Sequence, residues 1–103
     1  MINHIVLLLL LTGLAWSQDC TADDGTPGVE LWGECYSIEY TTELDLSYIG
    51  VTGEIPPEIG NLINLSSLIL KENQLSGEIP PEISYLTNLN ILDLAGNQFT
   101  GAL

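Results

Sequence analysis

Basic residues are almost absent from this 103-residue chain, in which Lys71 is the only lysine or arginine. Fourteen acidic residues, all of them after Ser17, give a formal net charge of −13. A surface of this charge repels nucleic acid phosphates and anionic membranes, so we exclude both as partners. Two interpretations of the acidic residues remain, a solvated coat that keeps the protein soluble and an acidic binding patch, and the first is favoured.

Long apolar runs are also missing. The longest run, residues 5–11, lies near the N-terminus and is well short of the roughly 20 residues that a membrane-spanning helix needs. Small residues at Ala15 and Ser17 then offer a cleavage site, although no Lys or Arg precedes the apolar run. We therefore predict that residues 1–17 are a secretory signal peptide removed after Ser17, with a short membrane anchor as the alternative.

The stretch from Leu65 to Leu86 repeats on both sides at a spacing of 24 positions. Leu68 aligns with Leu44 and Leu92, and the sequence GEIPPEI occurs at residues 53–59 and again at residues 77–83. A fixed period of this length predicts supersecondary units that bury their apolar faces only by stacking on one another. Leu68 and Leu70 alternate with Ser67, Ile69 and Lys71, which predicts a short strand with the two leucines pointing inward.

The spacing L-x-x-L-x-L-x-x-N-x-L-x-G-x-I-P over residues 65–80 closely resembles the leucine-rich repeat, specifically the 24-residue version typical of plant extracellular proteins. The resemblance covers residues 41–103 and implies an α/β repeat solenoid, with short parallel strands on a concave face and 3-10 or helical turns on the convex face. Asn73 and Asn97 are expected to form a ladder of amides that satisfies backbone groups in the turns after the strands. Ile49 takes that position in the first repeat, so the ladder should start at the second.

Residues 18–40 precede the repeats and resemble the N-terminal cap of this family, with Trp32 expected to help cover the first open core face. Two cysteines in an exported chain permit one internal pairing, so we predict a disulfide between Cys20 and Cys35. The segment between them contains Gly25, Pro27 and Gly28, which predict turns that break any regular element.

Catalysis is disfavoured by the residues available. The only histidine, His4, lies in the predicted signal peptide, which removes histidine-dependent nucleophiles and histidine-ligated metals from the mature chain. A carboxylate pair survives as an enzyme hypothesis, because Glu54 and Glu78 are one repeat apart and should lie about 5 Å from each other, and Glu58 and Glu82 make a second such pair. A thin solenoid offers no sugar-sized cleft for them. We expect a non-enzymatic protein with no cofactor and no metal.

A binding role has positive support, because the outward strand positions are not needed for the core and are free to match a ligand. The family resemblance implies recognition of an extracellular protein, peptide or glycan on the concave face. The alternative is a structural solenoid segment, or an adhesin repeat, without a ligand of its own. The predicted binding residues form three rows, which are Glu43, Asp45 and Ser47, then Ser67, Ile69 and Lys71, then Ile91, Asp93 and Ala95.

Two further expectations concern modification and length. Asn64-Leu65-Ser66 fits the N-glycosylation pattern and predicts a reachable acceptor at Asn64. The third repeat reaches only Leu103, so we expect the chain to be the N-terminal part of a longer secreted or cell-surface repeat protein, such as a receptor-like ectodomain or a secreted binder. Any membrane contact would come from the part after Leu103. Without that part, the open last repeat is expected to drive self-association.

Overall fold

The computed structural model describes residues 20–101. The predicted signal peptide lies outside these residues. Within residues 20–101, no helix is long and apolar enough to cross a bilayer. The described residues form a cap followed by two full repeats of 24 residues and part of a third, and each repeat contributes a short strand and a second extended segment.

The first parallel sheet contains β4 (Glu43–Asp45), β6 (Ser67–Ile69) and β8 (Ile91–Asp93) in that order. The strands pair in the register that the 24-residue spacing predicts, with Leu44 opposite Leu68 and Leu68 opposite Leu92. Leu68 and Leu70 are completely buried, whereas their neighbour Ile69 is half-buried on the opposite face. The predicted alternation is confirmed, and it leaves the outward face of this sheet outside the core.

A second parallel sheet contains β5 (Thr52–Gly53), β7 (Gln74–Gly77) and β9 (Gln98–Phe99). The proline pairs that follow β5 and β7 lead into two 3-10 helices, Pro57–Asn61 and Pro81–Tyr85. Proline suits the start of a helical turn because its missing N–H would have no partner there. These helices confirm the 3-10 turns that the family resemblance implied, and they pack directly against each other at Gly60.

The cap differs from its prediction. Residues 20–37 form an antiparallel sheet in the order β1 (Cys20–Thr21), β2 (Pro27–Leu31) and β3 (Glu34–Ser37). Pro27 and Gly28 were predicted to break regular structure, and that is wrong, because they begin β2. Proline is tolerated as the first residue of a strand. Gly28 is required for another reason, since a Cβ on it would lie 2.5 Å from the Cys35 sulfur.

The predicted disulfide between Cys20 and Cys35 is present and joins β1 to β3. Cap and repeats share one apolar core, because Val29 and Leu31 of β2 belong to the same buried cluster as Ile59 and Leu62 at the first 3-10 helix. Trp32 was expected to cover the open core face. It does pack against this cluster, but it is only half-buried, and the fully buried contacts come from Val29 and Leu31.

Candidate recognition surface

The nine predicted binding residues lie on one face and in aligned columns. Register across the first parallel sheet places Glu43 beside Ser67 and Ser67 beside Ile91. The next outward column contains Asp45, Ile69 and Asp93, which are also Cα partners in turn. We call this outward surface of β4, β6 and β8, together with the residues directly after each strand, the concave face. The sheet brings together residues that are 48 positions apart in the sequence, such as Asp45 and Asp93.

Backbone hydrogen bonds extend this alignment to the third column, Ser47, Lys71 and Ala95. The N–H of Tyr48 donates to the carbonyl of Lys71 at 3.2 Å, and the N–H of Glu72 donates to the carbonyl of Ala95 at 2.8 Å. These bonds lie beyond the strand ends. The rows are therefore held in register over three columns, which gives the concave face a fixed backbone on which side chains can be presented to a partner.

Two aspartates on this face are oriented by hydrogen bonds from the residue two positions later in the same row. Asp45 Oδ1 accepts the backbone N–H of Ser47 at 3.0 Å and the Ser47 hydroxyl at 2.7 Å. Asp93 Oδ1 accepts the N–H of Ala95 at 3.2 Å. The two bonds from Ser47 lower the pKa of the Asp45 carboxyl from its ordinary value, with the charge of Lys71 as a weaker contribution. Asp45 is consequently ionised throughout the physiological pH range.

Lys71 leans toward the first repeat. Its ammonium nitrogen lies 6.0 Å from the centroid of the Tyr48 ring, near the outer limit for a cation–π contact. Tyr48 is 70% exposed and adopts a positive φ of 61° at the turn after β4. The equivalent positions in the next repeats, Glu72 and Gly96, also have positive φ. The only basic side chain of the protein therefore lies at the first-repeat side of the concave face, together with an exposed aromatic ring.

The predicted asparagine ladder is present and starts at the second repeat. Asn73 is buried, and its Oδ1 accepts the backbone N–H groups of Ile49, Gly50 and Val51 at 2.8 to 3.1 Å. Its Nδ2 lies within 3.2 Å of three carbonyl oxygens, those of Leu46, Leu70 and Lys71. Asn97 repeats the arrangement one layer on, with Oδ1 accepting from Leu75 N and Nδ2 donating to Leu70 O.

A second set of asparagines was missed by sequence reasoning. Asn64 Nδ2 donates to the carbonyl of Glu39 at 3.0 Å, and Asn88 Nδ2 approaches the carbonyl of Ile63 at 3.5 Å. The recurrence of Asn at a spacing of 24 residues was the available signal. Asn64 is half-buried, and its glycosylation, which stays a prediction, would use the same nitrogen that bonds to Glu39.

The carboxylates considered for catalysis pack against glycines of the following repeat. A Cβ on Gly77 would lie 2.7 Å from Glu54 Oε2, and one on Gly101 would lie 3.4 Å from Glu78 Oε2. Each glutamate side chain thus leans over the next glycine, and the glycines provide the room for it. Among residues 20–101, no group of three or more histidine, cysteine or acidic side chains is placed to hold a metal ion.

A strand, an asparagine-stabilised turn, a second extended segment and a 3-10 helix, repeated in register, define a repeat solenoid. A sequence profile of the leucine-rich repeat matches residues 40–62, 64–86 and 88–103, so the chain belongs to the leucine-rich repeat family. Among curated proteins, no sequence relative matches the chain.

Solved structures with the same fold include plant ectodomains. The BIR3–SERK2 complex from Arabidopsis thaliana is 45% identical over 60% of this chain and 33% of the compared chain, with a TM-score of 0.59. The PEPR1–AtPEP1 structure is 35% identical over 60% of this chain and 9% of the compared chain, again with a TM-score of 0.59. The ectodomain of the receptor kinase SOBIR1 from Arabidopsis thaliana is 38% identical over 56% of this chain and 32% of the compared chain, with a TM-score of 0.54. The match thus spans a third or less of each of these proteins.

Proposed function

We propose that this chain is an extracellular recognition module that binds a protein or peptide partner on its concave face and catalyses no reaction. One observation carries the proposal. The six outward residues of β4, β6 and β8 are held in columns by the sheet register, and backbone hydrogen bonds align the three that follow the strands, yet the buried leucines of β4 and β6 supply the packing. Side chains with fixed positions and no part in the core are suited to contact a partner.

The comparisons support the same proposal. Two of the similar structures are complexes, BIR3 with SERK2 and PEPR1 with AtPEP1, and the third is the ectodomain of a receptor kinase. All three share the repeat architecture with this chain at 35% to 45% identity. By analogy we assign the chain to the secreted or cell-surface proteins, with residues 1–17 as its export signal.

A substitution on the concave face tests the binding role. Ile69→Asp introduces a charge at the centre of the face, and Ile63→Asp introduces the same charge at an exposed isoleucine on the turn after the first 3-10 helix. The full chain and both variants are screened against arrays of extracellular proteins, peptides and glycans. Partners lost with Ile69→Asp and kept with Ile63→Asp support the proposal. A glycan among them would change the ligand class, and partners insensitive to both variants would favour a purely structural solenoid.

Export has a separate test. The full chain is expressed in a eukaryotic secretory host, and the mass of the product in the medium is measured. We expect a protein that begins at Gln18, since Ala15 and Ser17 provide the small residues before the cut. A product retained in the cell with residues 1–17 attached would contradict the assignment.

Self-association is a second candidate activity, favoured by the exposure of the third repeat. Leu92 is 44% exposed, whereas the equivalent Leu68 is fully buried. Covering one such side chain contributes roughly 1.5 to 3 kcal/mol, so a second copy of the chain would gain from contact here. Light scattering over a concentration series should show association of the full chain that Leu92→Ser reduces. A monomer at every concentration would contradict this proposal.

A further inference from the structure

Charge on the concave face is distributed unevenly. The face carries three carboxylates, those of Glu43, Asp45 and Asp93, and one ammonium group, that of Lys71. Since Lys71 leans over Tyr48, its charge lies at the first-repeat side and contributes to the environment of the Asp45 carboxyl. Asp93 lies two strands away from Asp45, roughly 10 Å at the usual strand spacing. Asp93 is consequently a carboxylate of this face that Lys71 does not offset.

An apolar side chain lies next to that carboxylate. Ile91 is 53% exposed and precedes Asp93 by two positions on β8, so both side chains leave the strand on the same face. Ile69, the Cα partner of Asp93 on β6, extends the apolar area toward the second repeat. The pair Ile91 and Asp93 thus presents an apolar contact and a charge contact about 6.6 Å apart, which is two strand residues.

An extended peptide has the same repeat distance between alternate side chains. A segment lying along β8 can therefore place one side chain against Ile91 and the next one on the same side against Asp93. Asp93 Oδ1 is already held by the N–H of Ala95, which fixes the direction of the carboxylate. A net charge of −13 adds long-range attraction for a cationic segment and repulsion for an anionic one.

We propose that the partner contacts this face through an extended segment with a lysine or arginine two positions from a bulky apolar residue, the cation at Asp93 and the apolar residue against Ile91 and Ile69. This inference rests on the proposed function, since it names the chemistry of the partner at the same face. It further assigns a smaller role to Asp45, whose charge is offset by Lys71.

A random heptapeptide library selected on the full chain tests the pairing. We expect enriched sequences to contain Lys or Arg two positions from Leu, Ile, Phe or a similar residue. Asp93→Asn keeps the acceptor for Ala95 and removes the charge, and it should weaken the enriched peptides about two- to fivefold, as for other solvent-exposed charge pairs. Glu58→Gln, which makes the same charge change on the first 3-10 helix, should leave them unchanged. Asp45→Asn should have less effect than Asp93→Asn.

The outcomes separate the inference from the proposed function. Neutral or acidic peptides that are enriched and are lost with Ile69→Asp would overturn the inference and leave the concave face as a binding surface. Peptides that ignore Ile69→Asp, or a failure to enrich any, would overturn both. Equal weakening by Asp93→Asn and Glu58→Gln would show a general charge effect and overturn the assignment to Asp93. If the chain forms a dimer and Asp93→Asn dissociates it, the partner at this face is a second copy of the chain, and the inference is overturned as well.

Discussion

The side-chain oxygen of Asn73 accepts the backbone N–H of Gly50 at 2.8 Å, across the boundary between the first and second repeats. The same oxygen also accepts from Ile49 and Val51, so one amide satisfies three successive N–H groups of a tight turn. A turn of this shape cannot use the sheet ladder for these donors, and unsatisfied buried donors are costly. The side chain of one repeat therefore stabilises the backbone of the repeat before it.

Asn73→Ala should be among the most damaging single substitutions in the repeats. It removes six hydrogen bonds, one buried and five part-buried, and leaves backbone groups without partners, at about 1 to 3 kcal/mol for a fully buried group. Urea unfolding should show a loss of roughly 3 kcal/mol or more. Asn97→Ala, at a half-buried position with four bonds, should cost less. Equal losses for the two variants would contradict this account of the ladder.

The disulfide gives a prediction about the cap. Thiol titration of the folded protein should detect no free cysteine, because Cys20 and Cys35 are paired. Cys35→Ser should lower the free energy of unfolding by about 3 kcal/mol, as expected for a closed loop of 15 residues. The double variant that also replaces Cys20 should lose no more than the single one, since both remove the same bond. Additive losses would argue against a shared bridge.

Packing between the two 3-10 helices depends on Gly60. A Cβ at this position would lie 2.7 Å from the carbonyl oxygen of Glu82 and 3.0 Å from the Tyr85 ring. Gly60→Ala should therefore separate the helices and destabilise the protein by about 1 to 3 kcal/mol in thermal or urea unfolding. Ser84 is the equivalent residue one repeat on and is exposed. Ser84→Ala should stay within about 0.5 kcal/mol of the wild type, and a comparable loss there would contradict the packing argument.

The Asp45 carboxyl gives a prediction about pH. Hydrogen bonds from Ser47 lower its pKa below the ordinary value of 3.8. Because the folded pKa is lower than the unfolded one, the carboxylate contributes its full stability above about pH 3.8 and loses it as the pH falls through the folded pKa. Carbon-13 NMR titration should show a midpoint below 3.8 that Ser47→Ala raises. The pKa of Asp24, lowered by its own bonds from Thr26, should not respond to that variant.

Glycosylation at Asn64 is tested by mass. In a eukaryotic secretory host we expect a glycan on part of the product, because the Asn64 nitrogen that would carry it is taken up by the Glu39 carbonyl once the first repeat has packed. Asn64→Gln should abolish the mass shift, and Asn88→Gln, outside the acceptor triplet, should keep it. An unshifted mass for the wild type would end the hypothesis.

The repeats were predictable from sequence because their 24-residue period fixes the strand register, the buried face and the place of the ladder asparagines together. Alignment of Leu44, Leu68 and Leu92 at 24 residues determined the strand register, and the alternation around Leu68 determined which face is buried. Asn73 could be assigned to the ladder from its place in the repeat. Each of these signals occurs more than once in the chain, so the copies support one another.

The cap has no second copy, and this is why its structure was not predicted. Glycine is typical of turns, yet Gly28 lies in β2. Only glycine fits at this position, because a side chain would fill the space that the Cys35 sulfur occupies. That requirement comes from a tertiary contact, which local conformational propensity does not predict. The lean of Glu54 over Gly77 was missed for the same reason.

Several asparagine and serine side chains that bond across a repeat boundary reach backward. Asn73 bonds to the turn after β4, Asn97 to the carbonyl of Leu70 directly after β6, Asn64 to Glu39, and Ser66 to the carbonyl of Thr42. Each turn is therefore left incomplete until the following 24 residues have left the ribosome. The polar groups of the turns are therefore satisfied in order from the N-terminus to the C-terminus, which is also the order in which the chain is translated. The cap forms its antiparallel sheet and its disulfide within residues 20–37, whereas its apolar face at Val29 and Leu31 and the Glu39 carbonyl are covered only when the first repeat has been made.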